Sequence, residues 1–247
     1  MRRVHIWVFC INLLGGFQLL FAQQEETTIS IAEVDSLEIN EKVPLSLRFG
    51  IDLYRIVLSQ ATDDFNGFEA VGDLRLGENF FLATEVGTIE KTKQIEQLNI
   101  TTSGSYYKLG FDYNMYENWK GMNNHVTIGL RFATSSHKQL LNNYTILDRT
   151  RFWPGSDLPI TAGFATGERA NLNAQWLEIA VGFKVELLKN IYMGLSLRLN
   201  RLLSDKIPEN LDNVYIPGFN KKTEDNKFGA GFNYTLTYNI PFTSKRN

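Results

Sequence analysis

The stretch WLEIAVGFKVELL, residues 176–188, determines the fold that the sequence predicts. Apolar side chains take every second position in it, and charged or small residues take the positions between. The two sets are Leu177, Ile179, Val181, Phe183, Val185 and Leu187, against Glu178, Ala180, Gly182, Lys184 and Glu186. A period of two places them on opposite faces of a β-strand. A continuous apolar face opposite a charged face is typical of a membrane β-barrel, with lipid outside and a polar lumen inside.

The same alternation recurs along the rest of the chain. It returns after a turn at Lys189-Asn190 and again near the C-terminus, and it occurs five times before residue 134. The eight predicted strands cover residues 45–58, 68–76, 80–88, 106–116, 126–133, 176–188, 191–200 and 228–242. The sequence therefore predicts an all-β fold, an eight-stranded antiparallel transmembrane β-barrel of the outer-membrane type with a filled polar lumen.

The connections between the predicted strands alternate in length. Those at 77–79, 117–124 and 189–190 are short, whereas the predicted loops at 62–67, 90–105, 135–174 and 204–227 alternate with them and include the longest connections. Outer-membrane barrels have short periplasmic turns and longer outer loops. With the N-terminus in the periplasm, the sequence predicts that all the longer loops lie on the outer side.

The predicted barrel, residues 45–242, lies between two further segments. Residues 1–22 are predicted to be a secretory signal peptide, because Arg2 and Arg3 precede a mostly apolar run that ends at Ala22. A membrane-spanning helix is the alternative, but the run is short of the roughly 20 apolar residues that such a helix needs. Residues 23–44 are predicted to be a polar lead and 243–247 a C-terminal tail. Within the lead, Asp35-Ser36-Leu37 resembles a short O-glycosylation signal, and an ordinary linker is the alternative.

Composition argues against several classes of protein. The chain has 25 Lys and Arg against 27 Asp and Glu, which is no electrostatic footprint for a nucleic acid. Its one cysteine, Cys10, lies in the predicted signal peptide, so the remainder has no disulfide and no thiol ligand. Beyond that peptide the histidines are His125 and His137, which are too few and too distant for a transition-metal site. No cofactor is predicted.

Charged residues gather on the inward parity of the predicted strands. The cations are Arg48, Arg75, Lys108, Arg131, Lys184 and Arg198, and the anions are Asp52, Glu69, Asp73, Glu85, Asp112, Glu178 and Glu186. The interior of an eight-stranded barrel is just wide enough for side chains to fill. Because unpaired buried charges are costly, the sequence predicts a salt-bridged network that plugs the lumen. A narrow or gated ion path through the same residues is the alternative.

Two runs carry a resemblance to a known family. FGIDLYR at 49–55 and GFEAVGDLRLGENFFLATEVG at 67–87 resemble a family of small Bacteroidetes outer-membrane β-barrel proteins that carries a domain-of-unknown-function label. The resemblance covers most of the chain after the signal peptide. It implies a barrel and an outer-membrane location, and it carries over no catalytic residue.

The expected role is therefore structural, anchoring or recognition of a surface ligand. The expected partners are outer-membrane lipid and lipopolysaccharide, with Arg55 and Arg201 predicted to face outward near the outer rim. Another envelope protein or a surface ligand is expected to bind through residues 135–174 and 204–227. A transport barrel for ions or small solutes is the first alternative. An outer-membrane enzyme with its site in those loops, using His137, is the second.

Overall fold

A computed structural model describes residues 45–95, 98–117, 123–146, 158–161, 167–207, 213–221 and 227–242. The predicted signal peptide, polar lead and C-terminal tail lie outside the described residues. No helix among the described residues is long and apolar enough to cross a membrane.

Eight antiparallel strands close into a ring within the described part of the chain. They are β1 (Ser46–Asp52), β2 (Phe65–Arg75), β3 (Phe80–Ile95), β4 (Leu98–Asn114), β5 (His125–Ile146), β7 (Glu168–Leu188), β8 (Ile191–Asp205) and β11 (Phe228–Pro241). Each pairs with the next along the chain, and β11 pairs back onto β1, where Phe49 lies opposite Tyr238. This closure confirms the predicted eight-stranded barrel. Three shorter strands accompany it: β6 (Leu158–Thr161), β9 (Tyr215–Ile216) and β10 (Asn220–Lys221).

The first predicted strand is too long. β1 ends at Asp52, and Leu53–Ala61 form the helix α1 instead of extending the strand to residue 58. The carboxylate of Asp52 accepts a hydrogen bond from the backbone N–H of Tyr54 at 3.0 Å, which caps the helix at its N-terminus. Alternating apolar residues in this run mimic a strand, but the cap and the contacts of α1 with β2 and β11 favour the helix.

Two of the predicted outer loops, 90–105 and 135–174, contain long strand segments. Residues 90–105 were expected to be a polar loop, yet β3 and β4 continue through them as a hairpin that pairs from Phe80–Tyr113 to Ile95–Leu98. Much of 135–174 belongs to β5 and β7. The outward side chains of these segments are polar, so the alternation of apolar and polar residues that marks a strand is not visible in the sequence. Cross-strand hydrogen bonds therefore extend the barrel wall beyond the part whose outward face is apolar.

Two rows of paired residues mark where the outer surface changes character. Thr84, Leu109, Phe132 and Leu177 lie side by side on β3, β4, β5 and β7, and the row four residues nearer the outer end is Thr88, Ser105, Ser136 and Asn173. The boundary lies between these two rows. On the side of the first row, away from the outer end, the exposed side chains are mainly apolar, and we call this surface the apolar belt. It includes Phe49, Phe80, Val86, Phe111, Ile128, Leu130, Ile179, Val181, Phe183, Leu195, Leu197, Leu199 and Phe232. We call the strand segments that begin at the second row, residues 88–95, 98–105, 136–143 and 168–173, the outer wall.

The polarity of the barrel interior is the reverse of the polarity of its outer surface. Within the apolar belt the lumen is charged, whereas the outer end of the barrel encloses a hydrophobic cluster. That cluster joins wall residues to the β9–β10 hairpin, whose Ile216 and Phe219 are fully buried. The Phe219 ring meets Trp176 of β7 edge-on at 5.8 Å between centroids. Part of the predicted loop 204–227 therefore folds inward and plugs the barrel mouth.

The plug depends on a glycine at its turn. Gly218 has a φ of +83°, and a Cβ added there would lie 2.6 Å from the ring of Tyr106. Tyr106 also covers Gly87 on the neighbouring strand, so its ring has no room to move aside.

We predict that Gly218→Ala lowers the free energy of unfolding by about 1–3 kcal/mol, since it adds a side chain in a left-handed conformation and a clash. Urea titration in detergent micelles measures this. The control is Gly77→Ala, where an added Cβ meets nothing within 4 Å. Equal stability of the two variants would contradict the proposed packing of the plug.

Candidate functional site

The lumen begins at its inner end with one shared carboxylate. Asp73 of β2 accepts from Arg48 Nε at 2.6 Å and from Lys184 Nζ at 2.7 Å. Arg48 lies directly opposite Asp73 in the register of β1 and β2, so the sheet itself brings this pair together. Lys184 reaches across from β7. Its ammonium is also 3.8 Å from Asp112 of β4, which links this pair to the middle of the lumen.

Two buried glutamates organise the middle of the lumen. Glu85 of β3 contacts Arg198 at 2.5 Å, Arg131 at 2.9 Å and Lys108 at 3.5 Å. Glu178 of β7 contacts Arg198 at 2.7 Å and Lys108 at 2.9 Å. Arg131 contacts Asp112 at 2.9 Å as well. Side chains from five strands thus meet in one continuous chain of ion pairs.

A second group lies at the outer end of the lumen. Arg55, which α1 directs inward, lies 3.1 Å from Glu69 and 3.4 Å from Asp52. The Tyr106 hydroxyl and the Asn233 amide both donate to Glu69, and the same amide donates to Asp52 at 2.9 Å. Asp52 and Glu69 are fully buried, so these neutral donors supply the hydrogen bonds that one arginine cannot.

Eleven of the thirteen residues predicted for the lumen network lie in these two groups. Arg75 does not: its guanidinium donates to the backbone carbonyls of Gly77 and Glu78 at the inner turn. Glu186 does not either, since its carboxylate accepts the backbone N–H of Asn190 at the next turn. Both residues have the inward parity but lie at strand ends. There, the backbone groups of the adjacent turn are closer to their side chains than the charged groups of the lumen.

Arg55 is the charged residue of the network that the sequence did not predict, and Tyr106 and Asn233 are its unpredicted neutral members. We predicted that Arg55 faces outward, and that prediction is wrong because α1 turns it into the lumen. The i, i+3 spacing from Asp52, suited to a helix, and the appearance of a charge on the apolar parity could have indicated this. With Arg55 in place of Arg75 and without Glu186, six cations face six anions among the described lumen residues.

The network leaves little free space. The cavity among Asp73, Glu85, Asp112, Lys184 and Arg198 has a volume of about 50 Å³. A water needs about 10–15 Å³ by this measure, so there is room for about three to five waters. The charges are therefore paired with each other and not with a water column.

The two histidines lie inside the barrel wall. His125 is buried at the inner end, with its ring 5.3 Å from Phe81 and 6.1 Å from Tyr192. His137 was expected to open a long loop, but it lies in β5, buried, with Nε2 3.4 Å from Asn213 Oδ1. Asn213 also contacts Gln139 and Asp205, so this cluster anchors the segment that leads into the β9–β10 hairpin.

These features define a closed, eight-stranded antiparallel barrel with a neutral ion-pair network inside and an apolar belt outside. Residues 3–245 match the family described as Domain of unknown function (DUF6048), and the chain belongs to that family.

Similarity to other known proteins is slight. No curated protein matches it. Among solved structures it is similar to the crystal structure of Neisserial surface protein A (NspA), with a TM-score of 0.35 and 8% identity, over 80% of this chain and 96% of that one. So weak a likeness assigns no function, and the barrel is defined by its own strand pairing.

We predict that Arg198→Met lowers the free energy of unfolding by about 3–5 kcal/mol, because it leaves Glu85 and Glu178 short of a partner. Lys138→Met is the control: Lys138 pairs with Glu168 at 3.0 Å on the outer surface, both side chains about half exposed at 51% and 47%, so its loss costs at most about 1 kcal/mol. Urea titration of both variants in the same micelles measures the difference. A similar cost for the two would contradict a tightly coupled lumen.

Proposed function

We propose that the protein is an outer-membrane barrel with a closed lumen, and that its role is structural or in recognition, exerted from its outer wall and outer loops. The proposal rests on one observation: side chains close the barrel both in the lumen and at the mouth. The ion-pair network fills the lumen within the apolar belt, and α1 and the β9–β10 hairpin pack into the mouth above it.

The apolar belt supports the membrane location. Its side chains are well exposed in the isolated chain, with Leu197 at 63% and Leu130 at 57%. A water-soluble barrel would turn such side chains inward and keep a polar surface. Aromatic pairs at the inner end of the belt, Phe80 with Tyr113 and Phe49 with Tyr238, match the rings that membrane barrels place at the interface.

The outer wall supports a role outside the membrane. Its outward residues include Thr88, Glu90, Ser136, Lys138 and Asn173, which are exposed and polar, while its inward side packs a hydrophobic cluster. This is the side-chain arrangement of a soluble domain. A rigid polar surface held above the membrane suits contact with another envelope protein or a surface ligand through parts of 135–174 and 204–227.

Arg201 supports a contact with lipopolysaccharide. It is exposed on β8, with its guanidinium 6.0 Å from the centre of the Phe228 ring. An arginine beside an aromatic ring at the edge of an apolar surface can bind a phosphate while its stem stays in the lipid. Of the two arginines that the sequence predicted for this role, it alone faces outward.

We predict that Leu197→Arg impairs folding into lipid vesicles by about 2–4 kcal/mol, because it places a charge in the apolar belt at mid-membrane depth. The control is Asn173→Arg, an exposed outward position on β7 in the first row of the outer wall, where we expect almost no change. Folding is followed by the shift in gel mobility on boiling. Equal folding yields of wild type and Leu197→Arg would contradict a lipid-facing belt.

We predict that the refolded, monodisperse protein produces no steady, large conductance in planar bilayers. The reason is that the charges inside the apolar belt are paired with one another and the β9–β10 hairpin packs into the mouth, so that side chains block the axis. A porin refolded in the same detergent serves as the positive control. Stable channels at low voltage would favour the transport alternative over a closed barrel.

A further inference from the structure

The barrel wall has a seam at its outer end, between β2 and β11. Because β1 ends at Asp52, residues 65–69 of β2 pair with β3 and not with β1, and residues 228–234 of β11 pair with β8 and not with β1. The helix α1 lies between these two strand edges and contacts both strands. The hydroxyl of its Ser59 accepts the backbone N–H of Gly67 at 2.8 Å. A helix, and not a strand, therefore closes the wall here.

A cavity of about 280 Å³ lies behind this seam, at the outer mouth of the barrel. It extends from α1 and β11 to the β9–β10 hairpin. Its lining includes Tyr54 and Leu58 of α1, together with Ala230 and Phe232 of β11, which are exposed and have the outward parity. Phe232 is also part of the apolar belt, and its ring packs against that of Tyr54 with 4.3 Å between the centroids. The cavity therefore opens through the seam onto the surface that we assign to the membrane.

The inner side of the cavity contains an unpaired hydrogen-bond acceptor. Asn200 of β8 lines the cavity and is only 1% exposed. Its Nδ2 donates to the backbone carbonyl of Phe219 at 3.2 Å, which fixes the orientation of the amide. Its Oδ1 is buried and has no hydrogen-bond partner among the described residues. Because a buried acceptor without a partner is costly, a ligand that donates a hydrogen bond to Oδ1 gains affinity.

The basic side chains around the cavity do not call for an anionic ligand. Carboxylates of the lumen network already pair with three of them: Arg55, Lys108 and Arg198. Lys91 and Lys93 extend over the Tyr215 ring, with 5.7 and 5.5 Å between each Nζ and the ring centre, and Lys93 has a further partner. A neutral polar group therefore suits this cavity better than an anion.

We propose that the cavity binds the head group of a neutral membrane amphiphile, such as a fatty alcohol or a monoacylglycerol. A hydroxyl of the head group donates to Asn200 Oδ1, and the hydrocarbon chain runs along Leu58 and Phe232, through the seam, to the apolar belt. The volume is just below that of ordinary small-molecule sites, so the cavity accommodates a head group and not a whole lipid. The route of the chain rests on the proposed membrane location, whereas the hydrogen bond to Asn200 does not.

The test compares ligands that differ in one group. The full protein is held in a nonionic amphipol, so that no detergent competes for the cavity, and is titrated calorimetrically with octan-1-ol, 1-methoxyoctane and octanoate. Octan-1-ol donates a hydrogen bond, whereas 1-methoxyoctane and octanoate only accept, and octanoate carries a charge. We expect saturable one-to-one binding of octan-1-ol, at least about tenfold tighter than that of the other two ligands, because only its hydroxyl satisfies the buried acceptor.

Two variants test the two ends of the site. Asn200→Leu removes the acceptor at similar side-chain size and should abolish the preference for octan-1-ol over 1-methoxyoctane. This substitution also removes the hydrogen bond to Phe219, so a second variant keeps the test decisive if the first does not fold. Ala230→Trp narrows the seam beside Phe232 and should weaken binding of octan-1-ol at least about tenfold. The matched control is Ile240→Trp, an exposed outward position on β11 away from the cavity, which should bind like wild type.

Each result bears directly on the proposal. Folding of every variant is checked by its shift in gel mobility on boiling. Equal binding of octan-1-ol and 1-methoxyoctane by the wild type, or no binding of either, overturns the site and leaves the Asn200 amide to a water molecule. Tighter binding of octanoate overturns the neutral head group, and unchanged binding by the Ala230→Trp variant overturns the route through the seam. Failure of the membrane location is detected separately, by folding of Leu197→Arg into vesicles, because the titration contains no lipid.

Discussion

The structure depends on the need to pair charges inside a narrow barrel. Isolated charges in a water-poor lumen cost several kcal/mol each, so every lumen carboxylate must find cations. Arg198 meets this need for two at once, although Glu178 lies 20 and Glu85 lies 113 residues away in sequence. Such contacts form only when the ring is closed and in the correct register. The network therefore specifies the register of the barrel as well as filling it.

The same constraint explains the helix at the outer end of β1. Asp52 and Glu69 are fully buried and need a cation, and Arg55 of α1 makes an ion pair with each of them. α1 turns Arg55 inward to meet both, while Asp52 caps the helix that carries it. One local change in chain direction thus completes the charge balance and covers the gap that β1 leaves between β2 and β11.

Alternation of side chains made most of the architecture predictable from the sequence. Within the apolar belt, one parity faces outward and the other inward, so runs such as 176–188 identified the strands, and eleven of the thirteen residues proposed for the lumen network take part in its contacts. The reason is that a strand fixes side-chain direction locally, without help from the rest of the chain. Beyond the belt this signal failed. Outward residues such as Ser105 and Ser136 are polar, and the strands that contain them looked like loops.

The sequence by itself therefore determined the number of strands, their parity and the charged character of the lumen. Only the tertiary structure decided which charges meet, that Arg55 enters the lumen while Arg75 and Glu186 bind turns, and that residues 215–219 fold into the mouth. These outcomes depend on distances between residues far apart in the chain. A parity pattern gives the direction of a side chain but not its partner, because the partner is set by closure, stagger and the room left inside the ring.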